Sequence, residues 1–368
     1  MYDKEDLLHA SRSNMKAMIL AAGVGTRLDP LTLQLPKPLV PVANRPVMDH
    51  ILHLLSEHDI KHMWANLHYL PTSIQNYFKN HQIPNIEINY LLEEQLTGDA
   101  GGVRACSREL SDATFLVVMG DLITNADLSQ IIAQHKAKGA LATIALKAVE
   151  NVQHFGVAVL DKDGWIKEFQ EKPKPSEARS NLVSTGIYVL EPKVFDYMPK
   201  TGSYGFGKQL FPDLVSKNLP VLGIEIDSYW SDVGTFEQYR QANFDALDRK
   251  LKTNLPDRHE KTSDYEIWLG ENAHIEPGCI IKGKVLAGNN TKIASGAHLS
   301  GYVIIGDDCI IESGVMIENS VIWSGSHISQ DAKVKDSVLG CGSNIGVNQT
   351  LNNTAFVTEQ KTNTAVLK

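Results

Sequence analysis

At 368 residues, with 43% hydrophobic and 21% charged residues, the chain has the composition of a folded globular protein and the length of about two domains. Its formal charge of −8 argues against a general polyanion binder, and no apolar run reaches the roughly 20 residues of a membrane span, so neither nucleic acid nor a membrane is expected as a partner. Four cysteines, Cys106, Cys279, Cys309 and Cys341, lie far apart with no CxxC pair, which speaks against a zinc site or a disulfide framework and fits a cytoplasmic location.

In chain order, residues 1–14 are polar and mixed in charge and read as a flexible leader, not as a signal or transit peptide. Residues 15–248 alternate short apolar runs with helix-like segments. Met18 to Ala21, Met63 to Asn66, Ile86 to Tyr90, Thr114 to Met119 and Ala142 to Leu146 have strand character, while Val47 to Glu57 and Leu128 to Lys138 have helical spacing. This alternation predicts an α/β domain around a mainly parallel sheet. A polar stretch containing Pro256 follows, and residues 249–264 are expected to be a linker.

A six-residue period then sets in. Leu269, Ile275, Ile281, Ala287, Ile293, Leu299, Ile305, Ile311, Ile317 and Trp323 form an unbroken apolar series, and a small or β-branched residue stands four positions after each of the first nine, from Ala273 to Val321. After Trp323 the phase slips, with Ile328, Val334, Leu339 and Ile345 continuing it. The pattern resembles the left-handed parallel β-helix of hexapeptide repeats, in which three hexads make one triangular coil, and it is assigned to residues 265–350. Residues 351–368 are expected to be a tail. Regular apolar faces and open coil ends favour a homo-oligomer assembled through the coil.

The stretch Met15 to Pro46 is the most informative. A strand gives way to Ala21, Ala22, Gly23, Val24 and Gly25, small residues that can let backbone approach a ligand, and then to Thr26 and Arg27. By itself a Gly-x-Gly turn is also an ordinary tight connection. A dinucleotide fingerprint would need glycine where Leu28 stands, and no Gly-Lys-Ser/Thr of a P-loop is present.

The longer strings are more specific. Gly23-Val24-Gly25-Thr26-Arg27-Leu28 with Pro36-Lys37-Pro38-Leu39-Val40-Pro41, then Val118-Met119-Gly120-Asp121, Phe169-Gln170-Glu171-Lys172-Pro173, Ser184-Thr185-Gly186-Ile187-Tyr188 and Trp230-Ser231-Asp232-Val233-Gly234-Thr235 occur in this order. Together they resemble the sugar nucleotidyltransferases, which make nucleotide sugars such as GDP-mannose, UDP-glucose and dTDP-glucose. The resemblance implies a Rossmann-like nucleotidyltransferase domain and a reaction in which a sugar 1-phosphate attacks the α-phosphorus of a nucleoside triphosphate and releases pyrophosphate. Negative charge must then be neutralised on both sides of the reacting phosphorus.

Carried over on this resemblance, Arg27 and Lys37 grip the phosphates, and Asp121 and Asp232 hold Mg²⁺, a cation that needs only one or two carboxylates besides phosphate oxygens. Ala21, Ala22, Gly23, Gly25, Thr26, Glu93 and Gly98 are expected to contact the nucleotide. Lys172 is expected to bind the sugar phosphate, Glu171 the sugar hydroxyls, and Gly156 and Gly186 to offer backbone contacts to the sugar. The sequence departs from the family at Ser184, where Asn is common, with Asn181 nearby, and at Asp99, where Thr is common. Glu93 can only accept hydrogen bonds, which suits the adjacent N–H donors of guanine and points to GTP. The run Gly98-Asp99-Ala100-Gly101-Gly102 resembles that of mannose-1-phosphate guanylyltransferases, which implies GTP with mannose 1-phosphate to GDP-mannose as the expected reaction.

UTP, dTTP or ATP chemistry and a catalytically silent nucleotide-sugar-sensing subunit are the alternatives. Acyl transfer by His274, His298 or His327 on the coil is a further one. His327 falls in the small-residue slot of the repeat, and the other two occupy ordinary hexad positions. Trp230 either stacks on a ligand or fixes the loop that carries Asp232.

Overall fold

The computed structural model describes residues 15–358; the expected leader, 1–14, and the end of the expected tail, 359–368, lie outside that range. Packing divides the chain into two compact units. The first comprises the residues up to Val24, Pro36–Leu39 and Val47–Asp232, and the second Gly25–Leu35, Val40–Pro46 and the residues from Val233 onward. This division differs from the one expected along the chain, since the second unit starts before residue 248 and includes two segments from the first 50 residues.

In the first unit, strands β1 (Lys16–Leu20), β2 (His62–Leu67), β3 (Glu87–Leu92), β4 (Phe115–Met119), β5 (Ala142–Ala148), β6 (Gly156–Leu160), β7 (Ile166–Glu171), β8 (Leu182–Leu190) and β9 (Val221–Glu225) form one sheet. Its path is β7-β6-β8-β4-β1-β2-β3, with β5 pairing β8 and β9. The Rossmann-like core β4-β1-β2-β3 is parallel, and β8 runs antiparallel to β4. Phe115, Leu116, Val117 and Val118 are all buried, as are Ala17, Met18 and Ile19, because both faces of these strands are covered and no position can be polar without a partner.

Helices α1 (Val47–Glu57) and α2 (Leu128–Lys138) fall on the residues that helical spacing predicts. The second begins at Asp127, whose carboxylate accepts the Gln130 N–H at 2.9 Å, and ends at Gly139 with φ 61°.

The second unit is dominated by parallel strands: β10 (Arg258–Lys261), β11 (Tyr265–Leu269), β12 (Ile280–Ala287), β13 (His298–Ile305), β14 (Met316–Ile322), β15 (Lys333–Lys335) and β16 (Thr350–Asn352). Among these strands β10 alone is antiparallel to its neighbour. It lies inside the stretch 249–264 expected to be a linker. Ile281 faces Leu299 and Leu299 faces Ile317, so one turn takes 18 residues, as three hexads require. Strand β16 and Ala355–Phe356 continue the pairing, so the regular part runs past the boundary expected at residue 350.

The phase slip lies earlier than the sequence pattern placed it. After the register shift between Ser300 and Val303, successive strands are offset by 17 residues, as in Val303 opposite Ser320. The inward residue after Ile317 is Ile322, and the interior then runs through Ile328, Val334, Leu339 and Ile345. Trp323 does not continue the apolar series. It is buried outside the coil interior, its Nε1–H donating to Tyr239 Oη at 2.8 Å, and Tyr239 Oη donates to the Pro41 carbonyl at 2.5 Å. The small-residue slot moves with the slip: Ser320, Ser326, Ser337 and Ser343 occupy it, each hydroxyl returning to a backbone carbonyl at 2.6–2.7 Å. His327 is therefore not in that slot; it is half-buried on the outer side and pairs with Glu312 at 2.6 Å.

A five-residue step at 317–322 makes Ile322 a core residue. Ile322→Ala is expected to cost about 2–5 kcal/mol in chemical denaturation. A loss below about 1 kcal/mol would return the inward position to Trp323.

Candidate functional site

Strands β1 and β4 lie side by side and parallel, and the first chemistry follows their carboxyl ends, the usual ligand edge of such sheets. The Gly120 N–H donates to the Leu20 carbonyl at 2.8 Å, which pins the turn after β4 and sets Asp121 directly beyond it. Lys37 reaches the same point. Its side chain is only 7% exposed, and Nζ donates to Asp121 Oδ2 at 2.6 Å and to the Asp232 carbonyl at 3.2 Å. A buried ammonium needs such acceptors to offset its lost hydration.

Asp121 and Asp232 open on a cavity of about 180 Å³ whose lining also includes Gly156, Glu171, Lys172 and Gly186. Six of the sequence-expected site residues are thereby brought to one place. Burial pushes the Glu171 carboxyl above the ordinary carboxylate range, against the pull of Lys172, whose Nζ lies 3.7 Å away. Lys172 has φ 48°, an uncommon conformation for a residue with a side chain, and its N–H is held by the Phe155 carbonyl at 3.0 Å. Gly186, with φ 81°, interrupts β8 where the pairing with β5 breaks, and a Cβ there would meet Met119 Cγ at 2.5 Å. Trp230 fixes its loop: Nε1–H donates to the Thr185 carbonyl at 2.9 Å, and the ring packs edge-on against Phe155.

The nucleotide-side expectations fare unevenly. A Cβ on Gly23 would meet nothing within 4 Å, so no protein atom in the described structure demands glycine there. Gly25 has φ 78° and leads into the short turn Thr26–Leu28, where Thr26 and Arg27 are exposed. Ala22 is buried, and so is Ala21, whose N–H is committed to Asn66 Oδ1 at 2.9 Å and is not offered to a ligand. Gly98 has φ 82° and packs on the Tyr204 carbonyl, where a Cβ would come to 2.5 Å, a sufficient structural reason for glycine.

Glu93 departs furthest from expectation. Its Oε1 accepts from Asn66 Nδ2 at 2.5 Å, and its Oε2 accepts the Thr97 N–H at 3.1 Å and the Thr97 hydroxyl at 2.8 Å. Both oxygens are used to hold the loop, which removes the two-point guanine contact as the evident purpose of the carboxylate. Asn66 and Gly207 were missed in the sequence. Asn66 had a signal, an amide at the end of the apolar run Met63 to Asn66, where a buried polar group implies dedicated partners.

Among the described residues no cluster of three or more His, Cys, Asp or Glu side chains could hold a metal. Asp121 and Asp232 supply two carboxylates on one cavity, a hard-oxygen donor set suited to a cation that completes its shell with phosphate oxygens. No helix among the described residues is long and apolar enough to cross a membrane.

Residues 16–249 match the family model described as nucleotidyl transferase, and residues 281–366 match that of the GMPPB C-terminal domain. A UTP–glucose-1-phosphate uridylyltransferase of Synechocystis is 40% identical over 251 residues, a stretch that covers 65% of each chain and so less than two thirds of that relative. A mannose-1-phosphate guanyltransferase of Candida albicans is 32% identical over 338 residues, covering 90% of this chain and 88% of that protein. A crystal structure described as a glucose-1-phosphate thymidylyltransferase from Bacillus anthracis with sucrose superposes with a TM-score of 0.59 at 26% identity, over 65% of this chain and 97% of that one.

The Glu93 network yields a stability test. In Glu93→Gln an NH₂ must face either the Asn66 amide or the Thr97 donors, and a flip of Asn66 would only move the loss to Ala21. Denaturant unfolding is expected to show a loss of about 1–3 kcal/mol, and an unchanged midpoint would mean that Glu93 does not anchor the loop.

Proposed function

Because the chain belongs to the nucleotidyl transferase family over residues 16–249, we propose that it joins GTP to mannose 1-phosphate, giving GDP-mannose and pyrophosphate. The observation that carries the reaction class is the bonding of Lys37 to Asp121 and to the Asp232 backbone, two residues on the cavity that Glu171 and Lys172 also line. The choice of GTP and mannose rests on similarity to the Candida guanyltransferase along 90% of the chain and on the GMPPB-type C-terminal region.

In this reading a sugar phosphate oxygen attacks the α-phosphorus, the bond from that phosphorus to the bridging oxygen breaks, and pyrophosphate departs with its electrons. Lys37 exchanges its carboxylate for the α-phosphate, and Arg27 binds the β- and γ-phosphates in a fork of donors. The resemblance gives Gly23, Gly25 and Thr26 to the phosphate chain. Lys172 holds the sugar phosphate, Glu171 accepts sugar hydroxyls, and Gly156 and Gly186 face the sugar. Asp121 and Asp232 would hold Mg²⁺, which when bound neutralises phosphate charge.

The catalytic region spans residues 15–248 in this proposal, and the repeat region is a left-handed β-helix from about residue 265. The coil mediates a homo-oligomer, supported by the exposed side chains Ile280, Ile310 and Met316. A cytoplasmic setting is supported by four cysteines that form no disulfide.

A second reading, UTP with glucose 1-phosphate, is favoured by the full engagement of Glu93 within its loop and by the 40% identity to the Synechocystis uridylyltransferase. Pyrophosphate release over a grid of nucleoside triphosphates and hexose 1-phosphates with Mg²⁺ separates the two. The GTP and mannose 1-phosphate pair is expected to be fastest. Fastest turnover with UTP and glucose 1-phosphate would install the second reading, and silence in every well from folded protein would end the reaction class itself. In the active pair, Lys37→Met is expected to lower kcat by about 10² or more; turnover within threefold of the parent would remove Lys37 from the phosphate site.

A further inference from the structure

One wall of the cavity is sewn to the loop that follows Glu93. The Tyr204 N–H donates to the Thr97 carbonyl at 2.8 Å, and the Gly101 N–H donates to the Tyr204 carbonyl at 2.9 Å. Asp99 makes the third stitch: its Oδ1 accepts the Phe206 N–H at 2.7 Å and the Ala100 N–H at 2.7 Å. Both Asp99 and Gly207 line the cavity. Glycine at 207 leaves room for Glu171, since a Cβ there would collide with Glu171 Oε2.

Asp99 and Glu171 therefore share this small space with Asp121 and Asp232, and each of the first two carries the electrostatic mark of it. Burial raises the Asp99 pKa, with the Phe206 and Ala100 amides and Lys172 pulling it down. Burial likewise raises that of Glu171, with Lys172 opposing and the Asp99 charge adding to the rise. The backbone amides are satisfied by one oxygen of Asp99, so a stitch of this kind does not explain why the residue is a carboxylate on the cavity.

We infer that Asp99 is a specificity-determining residue of the sugar subsite: its Oδ2 accepts a hydroxyl of a neutral hexose, and its charge, with that of Glu171, turns away sugars that carry a carboxylate. The inference rests on the reading of the cavity as a sugar 1-phosphate site. It commits the enzyme to uncharged, hydroxyl-bearing hexoses at the position facing Asp99 and predicts poor use of a hexuronic acid 1-phosphate. A substrate carboxylate brought beside the half-buried Asp99 and Glu171 meets repulsion that solvent screens weakly.

Asp99→Asn is a selective test, because an amide oxygen can keep both backbone hydrogen bonds while the cavity-facing atom changes from acceptor to donor. Initial rates are measured with the nucleotide and hexose 1-phosphate preferred by the parent, and with glucuronic acid 1-phosphate as the acidic probe. The expected result is a rise of about tenfold or more in KM for the hexose 1-phosphate, a KM for the nucleotide within twofold of the parent, and a narrower preference for the hexose over glucuronic acid 1-phosphate. Asp99→Ser, which keeps one oxygen for the amides and removes the other, should reproduce the rise. Thermal melting reports whether either variant stays folded, and one folded variant suffices. An unchanged hexose 1-phosphate KM, or equal rises for both substrates, overturns the inference while the parent's activity leaves the proposed reaction standing. A parent silent with every pair ends both.

Discussion

An ammonium group taken almost wholly out of water is the constraint on which the cavity end of the first unit depends. Lys37 cannot be buried unless acceptors are delivered to it, and those acceptors come from residues far away in the chain, the Asp121 carboxylate and the Asp232 backbone carbonyl. Delivering Asp121 requires β4 to end where it does, and that end is tied to β1 by the Gly120 N–H on the Leu20 carbonyl. The same arrangement that stabilises a buried cation places two aspartates on the cavity rim, so stability and chemistry draw on one set of atoms. In the proposed reaction a phosphate oxygen takes over the carboxylate's place at Lys37, whose ammonium is already held at that point.

A second polar network organises the neighbouring strand ends. Asn66, at the end of β2, accepts from the Ala21 N–H beyond β1 and donates to Glu93 beyond β3, while Glu93 holds Thr97. Three successive strand ends are thus locked by two side chains, each oxygen and amide group with a partner, which is the condition under which buried polar groups rigidify a site. The loop fixed in this way carries Gly98 and Asp99 onward to residues 204–207. Both oxygens of Glu93 serve the geometry of the site.

In the second unit the governing constraint is steric repetition. Eighteen-residue turns put aliphatic side chains in register inside the coil, and each turn passes residues with positive φ, such as Gly301 and Asn319, where one strand bends into the next. Removing one residue per turn after Ile317 keeps the interior filled only because Ser320, Ser326 and Ser337 fit the narrow slot and return their hydroxyls to nearby carbonyls. The shortened step also turns Trp323 out of the interior and toward Tyr239, so an apparent member of the repeat becomes its outer contact.

Local pattern alone was enough to determine the α/β alternation, the helices Val47–Glu57 and Leu128–Lys138, the hexad coil and the string of motifs that carries Lys37, Asp121, Glu171, Lys172 and Asp232. These are properties of spacing and residue type, and spacing survives in one dimension. Tertiary structure alone decided which oxygen holds which proton. Ile322 and Trp323 are both apolar neighbours, and only strand pairing says which points inward. Glu93 is an acceptor on any reading, and only the positions of Asn66 and Thr97 show that its oxygens are already engaged. Asp99 stood out in the sequence as a departure, but its nearness to Glu171 depends on residues 204–207 folding back on residues 97–101. Asn66 lies 27 residues from Glu93 and Phe206 lies 107 from Asp99, and no local periodicity encodes the distance between such partners.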